Sequence, residues 1–413
     1  MSAMGAMGTM GGGIGLGPLR IRAVHAIPLR CPLAESSRHT SDFGRQDRFD
    51  VVLVAVETEQ GVTGYGEVKA AVGSVGDTAA VCAAVERDLG PALLGRDGRQ
   101  VTALWEAMYS GPRAGHALRA GWSMPVVDRR GARVAALGGV DIALWDACGR
   151  YYGLPVHALL GGRCRERIRV YASGGWAGPE AIGAELGRYR HFGGFSAFKM
   201  RVGVMDGEVP RAAARVRAAR EAIGEAADLF ADAHGTMNVP QARAFCGAVA
   251  DLRLGWLEEP TPVDDLRAMA EVRQACTIPI AAGESEATRY GFRELILVGG
   301  ADVLQPDPAI CGGITECMRI AALGSAHLRT LAPHLWGSAV LFAAGLQLAA
   351  ACPNVTILEY PMGGNPALHE LVDAPPQPVD GEVAIPDRPG LGLVLRPDFV
   401  AQHRIDGRSG LPT

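Results

Sequence analysis

Seven residues with chemistry-bearing side chains recur between positions 199 and 359 at intervals of 23 to 33 residues: Lys199, Asp232, Glu258, Glu284, Asp307, His334 and Glu359. Each closes or follows a short β-prone run, so a fold that lines those runs up in parallel sets one polar group per strand around a single mouth. Asp232, Glu258 and Glu284 end consecutive runs and offer only oxygen donors. Mg2+ takes such hard ligands and leaves positions for water and substrate, whereas zinc more often recruits His or Cys. One Mg2+ is therefore the expected cofactor. A single acid at a strand end is commonly the N-cap of the next helix; three at one depth converge only where a cation offsets their repulsion.

Asp307 and His334 end adjacent runs, and parallel strands lie about 4.8 Å apart. A carboxylate can then reach the imidazole, fix its tautomer and raise its basicity. Of the 40 basic residues only Lys69 and Lys199 are lysines, and lysine, unlike arginine, can be tuned to release its proton. Lys199 and Arg201 share a strand face, so the guanidinium is expected to disfavour the ammonium and make Lys199 a base near neutral pH. The competing reading of Lys199 is a barrel cation paired with carboxylates. Its position opposite His334 predicts two bases flanking a substrate. His234 lies two residues after Asp232 and is expected to face the same mouth, as an acid for a leaving hydroxyl or as a hydrogen-bonding support for a metal ligand.

To position these groups the sequence offers eight β runs, at 168–173, 197–202, 228–233, 254–258, 278–282, 301–305, 329–333 and 356–360, separated by helical stretches. That alternation predicts an α/β fold with a (β/α)8-type, TIM-like barrel. Before it, strand-like segments at 20–30 and 50–59 with turn glycines Gly61 and Gly64 predict an antiparallel meander, and 78–110 and 133–152 carry helical periodicity. The expected organisation is a disordered Gly/Met-rich leader at 1–17, an α+β capping domain at 18–140, a catalytic barrel at 141–365 and a C-terminal segment, 366–413, packing on the cap. The loop Glu35 to Arg48 is expected to cover the mouth. Its Arg38, His39, Arg45 and Arg48 suit a polar, anionic, hydroxylated substrate, and a solvated surface loop is the competing reading.

Composition agrees with a globular small-molecule protein: 413 residues, 48% hydrophobic, 20% charged and a net charge of −4. No overall positive field exists to gather nucleic acid or anionic lipid, and no apolar run reaches the roughly 18 residues of a membrane span. Nine scattered cysteines without a C-x-x-C pair read as reduced core thiols of a cytoplasmic protein.

The order of motifs resembles the mandelate racemase-like branch of the enolase superfamily. VVLVAVETEQGVTGYGE ends at Glu67 and GVDIALWDACG spans 139–149; FKMRVG, ADAHG, WLEEP, AAGES, QPDP, APHLW and LEYP follow in turn. The resemblance implies a modified barrel with an α+β cap and a homo-oligomer. It implies metal ligation by Asp232, Glu258 (in preference to Glu259) and Glu284, and a His334–Asp307 dyad. It also implies a second-strand base at Lys199 and a last-strand Glu359 that stabilises the substrate carboxylate or enediolate. Many members carry Lys-x-Lys where this chain has Lys199-Met200-Arg201. Asp-x-His at the third strand is similar to galactonate and mannonate dehydratases. The implied activity is therefore Mg2+-dependent dehydration of a sugar acid to a 2-keto-3-deoxy acid, with His334 as base, His234 as acid, and Arg201, Arg38, His39, Arg45 and Trp336 as substrate contacts. Two alternatives stand beside it: a 2-hydroxy acid racemase or epimerase using Lys199 and His334, and a non-catalytic acid-binding barrel.

Overall fold

The computed structural model describes residues 17–69, 73, 75–125 and 129–411. The expected leader lies outside them except for Gly17, whose carbonyl accepts a 2.8 Å hydrogen bond from the Tyr151 hydroxyl.

Strands β1 (Ile21–Pro32), β4 (Arg48–Thr58) and β5 (Thr63–Val68) form the expected antiparallel meander, and a small hairpin of β2 (His39–Ser41) and β3 (Gly44–Gln46) is inserted before β4. Alternation along β4 serves two cores. Val52, Val54 and Val56 pack with the cap helices, while Val51, Leu53 and Ala55 face the core that continues into the barrel. A strand buried on both faces reads as an unbroken apolar run, as VVLVAV does. The helix Ala132–Tyr152 crosses β5 at very short range because both sides carry glycine: a methyl on Gly66 would lie 2.0 Å from the Gly139 carbonyl oxygen. The domain boundary expected after Val140 falls inside this helix.

Eight parallel strands follow, one at each expected run: β6 (Arg167–Gly174), β7 (Ala197–Arg201), β8 (Asp228–Asp232), β9 (Leu257–Glu258), β10 (Ile280–Ala282), β11 (Val303–Leu304), β12 (Thr330–Leu331) and β13 (Leu358–Pro361). They neighbour one another in chain order, β13 returns beside β6, and a parallel bridge from Leu331 to Val355 closes the ring. Inside, Tyr171, Phe230 and Trp256 form an aromatic floor, with Phe230 stacked on Trp256 at 3.5 Å. Two residues further along the same strands come Ser173, Asp232 and Glu258. The pleat thus lifts the polar groups one layer above the floor, at the C-terminal mouth.

The tail does more than pack on the cap. Helix Pro397–His403 and the Ile405 N–H, donating to the Pro28 carbonyl at 3.1 Å, attach it to β1, but β14 (Glu382–Ala384) pairs antiparallel with Arg167–Arg169 of β6. Those three residues project beyond the pairing of β6 with β7 and β13, leaving backbone groups that need partners. All nine cysteines are free thiols; six are buried, but Cys164 is exposed, against the expectation of a core thiol. Among the described residues no helix is long and apolar enough to cross a membrane.

Candidate active site

Lys199, on β7, is fully buried between three carboxylates. Its Nζ donates to Glu258 Oε1 at 2.6 Å and lies 3.1 Å from both Asp232 Oδ2 and Glu359 Oε1. Burial opposes its charge, but Glu258 and Glu359 outweigh burial and hold the ammonium above its ordinary range. Arg201 acts in the expected direction, against the ammonium, but these carboxylates outweigh it. The guanidinium is itself paired with Asp232 and lies over Trp336 at 5.8 Å. In return, Lys199 holds Glu258 and Glu359 below the usual carboxylate range, although burial pushes both the other way.

His334 Nδ1 and Asp307 Oδ2 are 2.7 Å apart, both groups buried. Asp307 Oδ1 accepts the Ala309 N–H at 2.8 Å, so the carboxylate is held by the first turn of the helix Pro308–Cys311. With the Nδ1 proton directed at Asp307, the lone pair is on Nε2. That nitrogen faces the mouth, 3.6 Å from Glu284 Oε2 and 3.7 Å from Glu359 Oε2. Glu359 accepts from the Ser173 hydroxyl at 2.7 Å and the Leu335 N–H at 2.8 Å. Lys199 and His334 thus approach the two different oxygens of Glu359.

β8 ends at Asp232, and His234 reaches the mouth through a turn, not through strand alternation. Its φ of 46° is left-handed, a conformation that costs a non-glycine residue about 1 kcal/mol; its N–H donates to Asp232 Oδ1 at 3.0 Å. Nδ1 is 2.7 Å from Asp42 Oδ2, on the β2–β3 hairpin, and Nε2 is 3.5 Å from Asp232 Oδ2. Burial, followed by Arg201, pushes this imidazole below its ordinary pKa against the pull of Asp42.

Asp232, His234 and Glu284 each bring one ligand atom within 4.8 Å of the others. Glu258, expected in that set, is turned aside: Oε1 is on Lys199, and Oε2 accepts from Trp256 Nε1 at 3.1 Å and Gln305 Nε2 at 2.7 Å. Three donors, one of them charged, explain its orientation. Glu259 has a left-handed φ of 37° and accepts the Gly283 N–H at 3.3 Å, and burial, reinforced by Glu284, raises its pKa well above the usual range. The donor set fits a hard divalent cation. Glu284 Oε2 is a buried carboxylate oxygen without a hydrogen-bond donor among the described residues, the kind of group a cation would satisfy.

The hairpin roofs the mouth, and its pleat decides which residues face in. His39, Ser41 and Gln46 share the inner face and line the cavity with Phe43, Trp176, Arg201, His334 and Trp336. His39 packs on Trp176 at 4.1 Å and Phe43 on His234 at 4.9 Å. Arg45 pairs with Thr40 on the outer face, and both are exposed. Arg38 is exposed with Nε on the Leu33 carbonyl at 3.3 Å, and Arg48 Nε pairs with Asp50 at 3.1 Å. Of the four basic residues expected over the substrate, only His39 lines the cavity.

Comparison with known proteins accounts for this arrangement. Residues 181–399 match the enolase C-terminal domain-like family, and 25–161 match the mandelate racemase / muconate lactonizing enzyme N-terminal domain. The chain belongs to the mandelate racemase-like branch of the enolase superfamily. It is 36% identical to D-galactarolactone cycloisomerase of Agrobacterium fabrum, over 87% of this chain and 93% of that one, and 34% identical to D-galactonate dehydratase of Ralstonia pickettii, over 85% and 90%. A racemase from Streptomyces coelicolor A3(2), solved with bound magnesium, superposes with a TM-score of 0.81 at 30% identity, covering 93% of this chain and 100% of that one. This mandelate racemase-like protein is an enzyme. Several groups in its mouth escaped the sequence reading: Asp42, Phe43 and Gln46 of the hairpin, Trp176 after β6, Ser173 on Glu359, Gln305 on Glu258, and Lys69, whose Nζ lies 3.4 Å from Asp307 Oδ2. Gln305 and Lys69 carried a signal, one inside QPDP and the other as one of two lysines.

Proposed function

We propose that this enzyme dehydrates a sugar acid, with the help of Mg2+, to a 2-keto-3-deoxy acid. The observation that carries the reading is the placement of two histidines on either side of the Asp232–Glu284 pair: His334 with Nε2 open to the mouth, and His234 with Nδ1 held by a carboxylate. Asp232, Glu258 and Glu284 would hold the cation, His234 being a nitrogen alternative to Glu258. When bound it would supply Lewis-acid stabilisation of a substrate carboxylate. His334 Nε2 takes the proton from the carbon beside that carboxylate, and Asp307 stabilises the imidazolium that results. Lys199 and Arg201 place positive charge where the enediolate develops it negative. His234 acts here as the imidazolium, a form that Asp42 favours: it keeps the Nδ1 proton on Asp42 and delivers the Nε2 proton to the β-hydroxyl, which leaves as water; the enol then becomes the ketone. Asp42 keeps that ring in the orientation needed. The hairpin and its aromatic residues exclude bulk water from the mouth.

Two-base racemisation is the weaker reading, because Lys199 Nζ is buried among Glu258, Asp232 and Glu359, which favour the ammonium over the free amine a base needs. The test is incubation of the purified enzyme with Mg2+ and a panel of mono- and di-acid sugars and their lactones, D-galactonate and D-galactarolactone included, in D2O. Release of a semicarbazide-reactive keto acid supports dehydration. Deuterium in recovered substrate without keto acid would favour racemisation, and neither result across the panel would favour a binding barrel.

A further inference from the structure

The chain uses arginine for nearly every cation, yet Lys69 stands at the end of β5, in the cap, buried against the barrel's catalytic rim. Its Nζ lies 3.4 Å from Asp307 Oδ2, the same oxygen that holds His334 Nδ1, and its N–H donates to the Ala309 carbonyl at 3.4 Å. Glu67, two residues earlier on β5, accepts the Ser338 N–H at 3.1 Å and the Leu341 N–H at 3.0 Å, and also the Ser338 hydroxyl. Ser338 begins the helix that follows His334. The glycine contact between Gly66 and Gly139 sets how deep this segment sits. A compact ammonium can share one carboxylate oxygen with an imidazole where the five-donor fork of arginine is poorly matched.

We propose that Lys69 is a positioning residue for the reaction: with Glu67 it clamps the Asp307–His334 dyad from the capping domain, so that the base is aligned only when cap and barrel are joined. Asp307 is then pinned on both oxygens, Oδ1 by the Ala309 N–H and Oδ2 by His334 and Lys69, and the carboxylate cannot rotate away from the ring. The proposal rests on the reading of His334 as the base.

The experiment compares wild type, Lys69→Met, Lys69→Arg and His334→Asn by kcat and KM on the substrate found above, by Mg2+ calorimetry, and by the downfield Nδ1–H proton resonance of His334, identified by its loss in His334→Asn. Lys69→Met should lower kcat by about ten-fold or more, with KM and Mg2+ affinity within about two-fold, and should shift or broaden the resonance. Lys69→Arg, which keeps the charge but not the compact shape, should recover only part of both. Should Lys69→Met not fold, Lys69→Gln takes its place. An unchanged resonance with kcat within about two-fold of wild type would overturn the proposal, as would a parallel loss of Mg2+ binding. Wild-type turnover in His334→Asn would instead remove His334 as the base, while the resonance in the Lys69 variants would still report whether the clamp exists.

Discussion

An imidazole is useful as a base only if its proton-bearing nitrogen is committed elsewhere, and at His334 the 2.7 Å contact with Asp307 provides that commitment. Asparagine at 334 keeps a polar side chain near Asp307 but has no basic nitrogen. His334→Asn is therefore expected to lower turnover by about 10²- to 10⁴-fold while Mg2+ binding, read by calorimetry, stays intact, because Asp232, Glu258 and Glu284 are untouched. Turnover near wild type would remove His334 from the mechanism. His234 separates differently. If it serves only the departing hydroxyl, His234→Asn should stop keto-acid release yet still exchange the α-proton for deuterium in D2O. Equal loss of both would demote His234 to a support for Asp232, a role that its N–H contact with Asp232 Oδ1 at 3.0 Å could also serve.

The β2–β3 hairpin acts as a unit, because its pleat turns His39, Ser41 and Gln46 inward and Arg45 outward. Asp42, at its tip, links this cover to β8 through His234 at 2.7 Å. Asp42→Asn preserves shape and one acceptor but removes the charge, and a charge-assisted hydrogen bond is roughly twice as strong as a neutral one. The expected result is a fall of about ten-fold in kcat/KM with unchanged thermal stability; unaltered kinetics would mean that the hairpin only shields. Elements also explain what could be read from the sequence. The barrel strands were legible because each short β run leads to a polar residue at a near-constant interval, and the meander because β4 carries the unbroken apolar run VVLVAV. The hairpin was not: three-residue strands carry no period, and its one decisive acid lies among Ser, Thr and Gly. Nor could spacing show that Glu258 turns toward Lys199, Trp256 and Gln305, since strand alternation fixes a face but not a rotamer.

Across the whole molecule the helix Ala132–Tyr152 ties the parts together, and its two buried acids are structural. Asp146 accepts the Tyr65 N–H at 2.8 Å and the Leu391 N–H at 2.7 Å, joining β5 to the tail. Asp141 accepts from the Thr315 N–H at 2.9 Å and the Thr315 hydroxyl at 2.6 Å, joining the helix to the barrel helix Gly313–Ala326. A side chain at 313 would collide with Asp141, 2.4 Å from its Oδ2, which is one reason for glycine there. Burial pushes the Asp141 carboxyl from 3.8 up to about 7, against the pull of its Thr315 hydrogen bonds. Between those values the folded chain retains a proton that the unfolded chain has released, so this group's contribution is full below pH 4 and is lost as pH rises to 7. The slope approaches about 1.4 kcal/mol per pH unit. Asp141→Asn, unable to ionise, removes it. Urea unfolding at pH 5 and pH 8 should therefore show wild type losing about 2–3 kcal/mol relative to Asp141→Asn over that interval. A stability difference between the two proteins that is the same at both pH values would mean that Asp141 stays ionised in the fold, held by Thr315 strongly enough to overcome its burial.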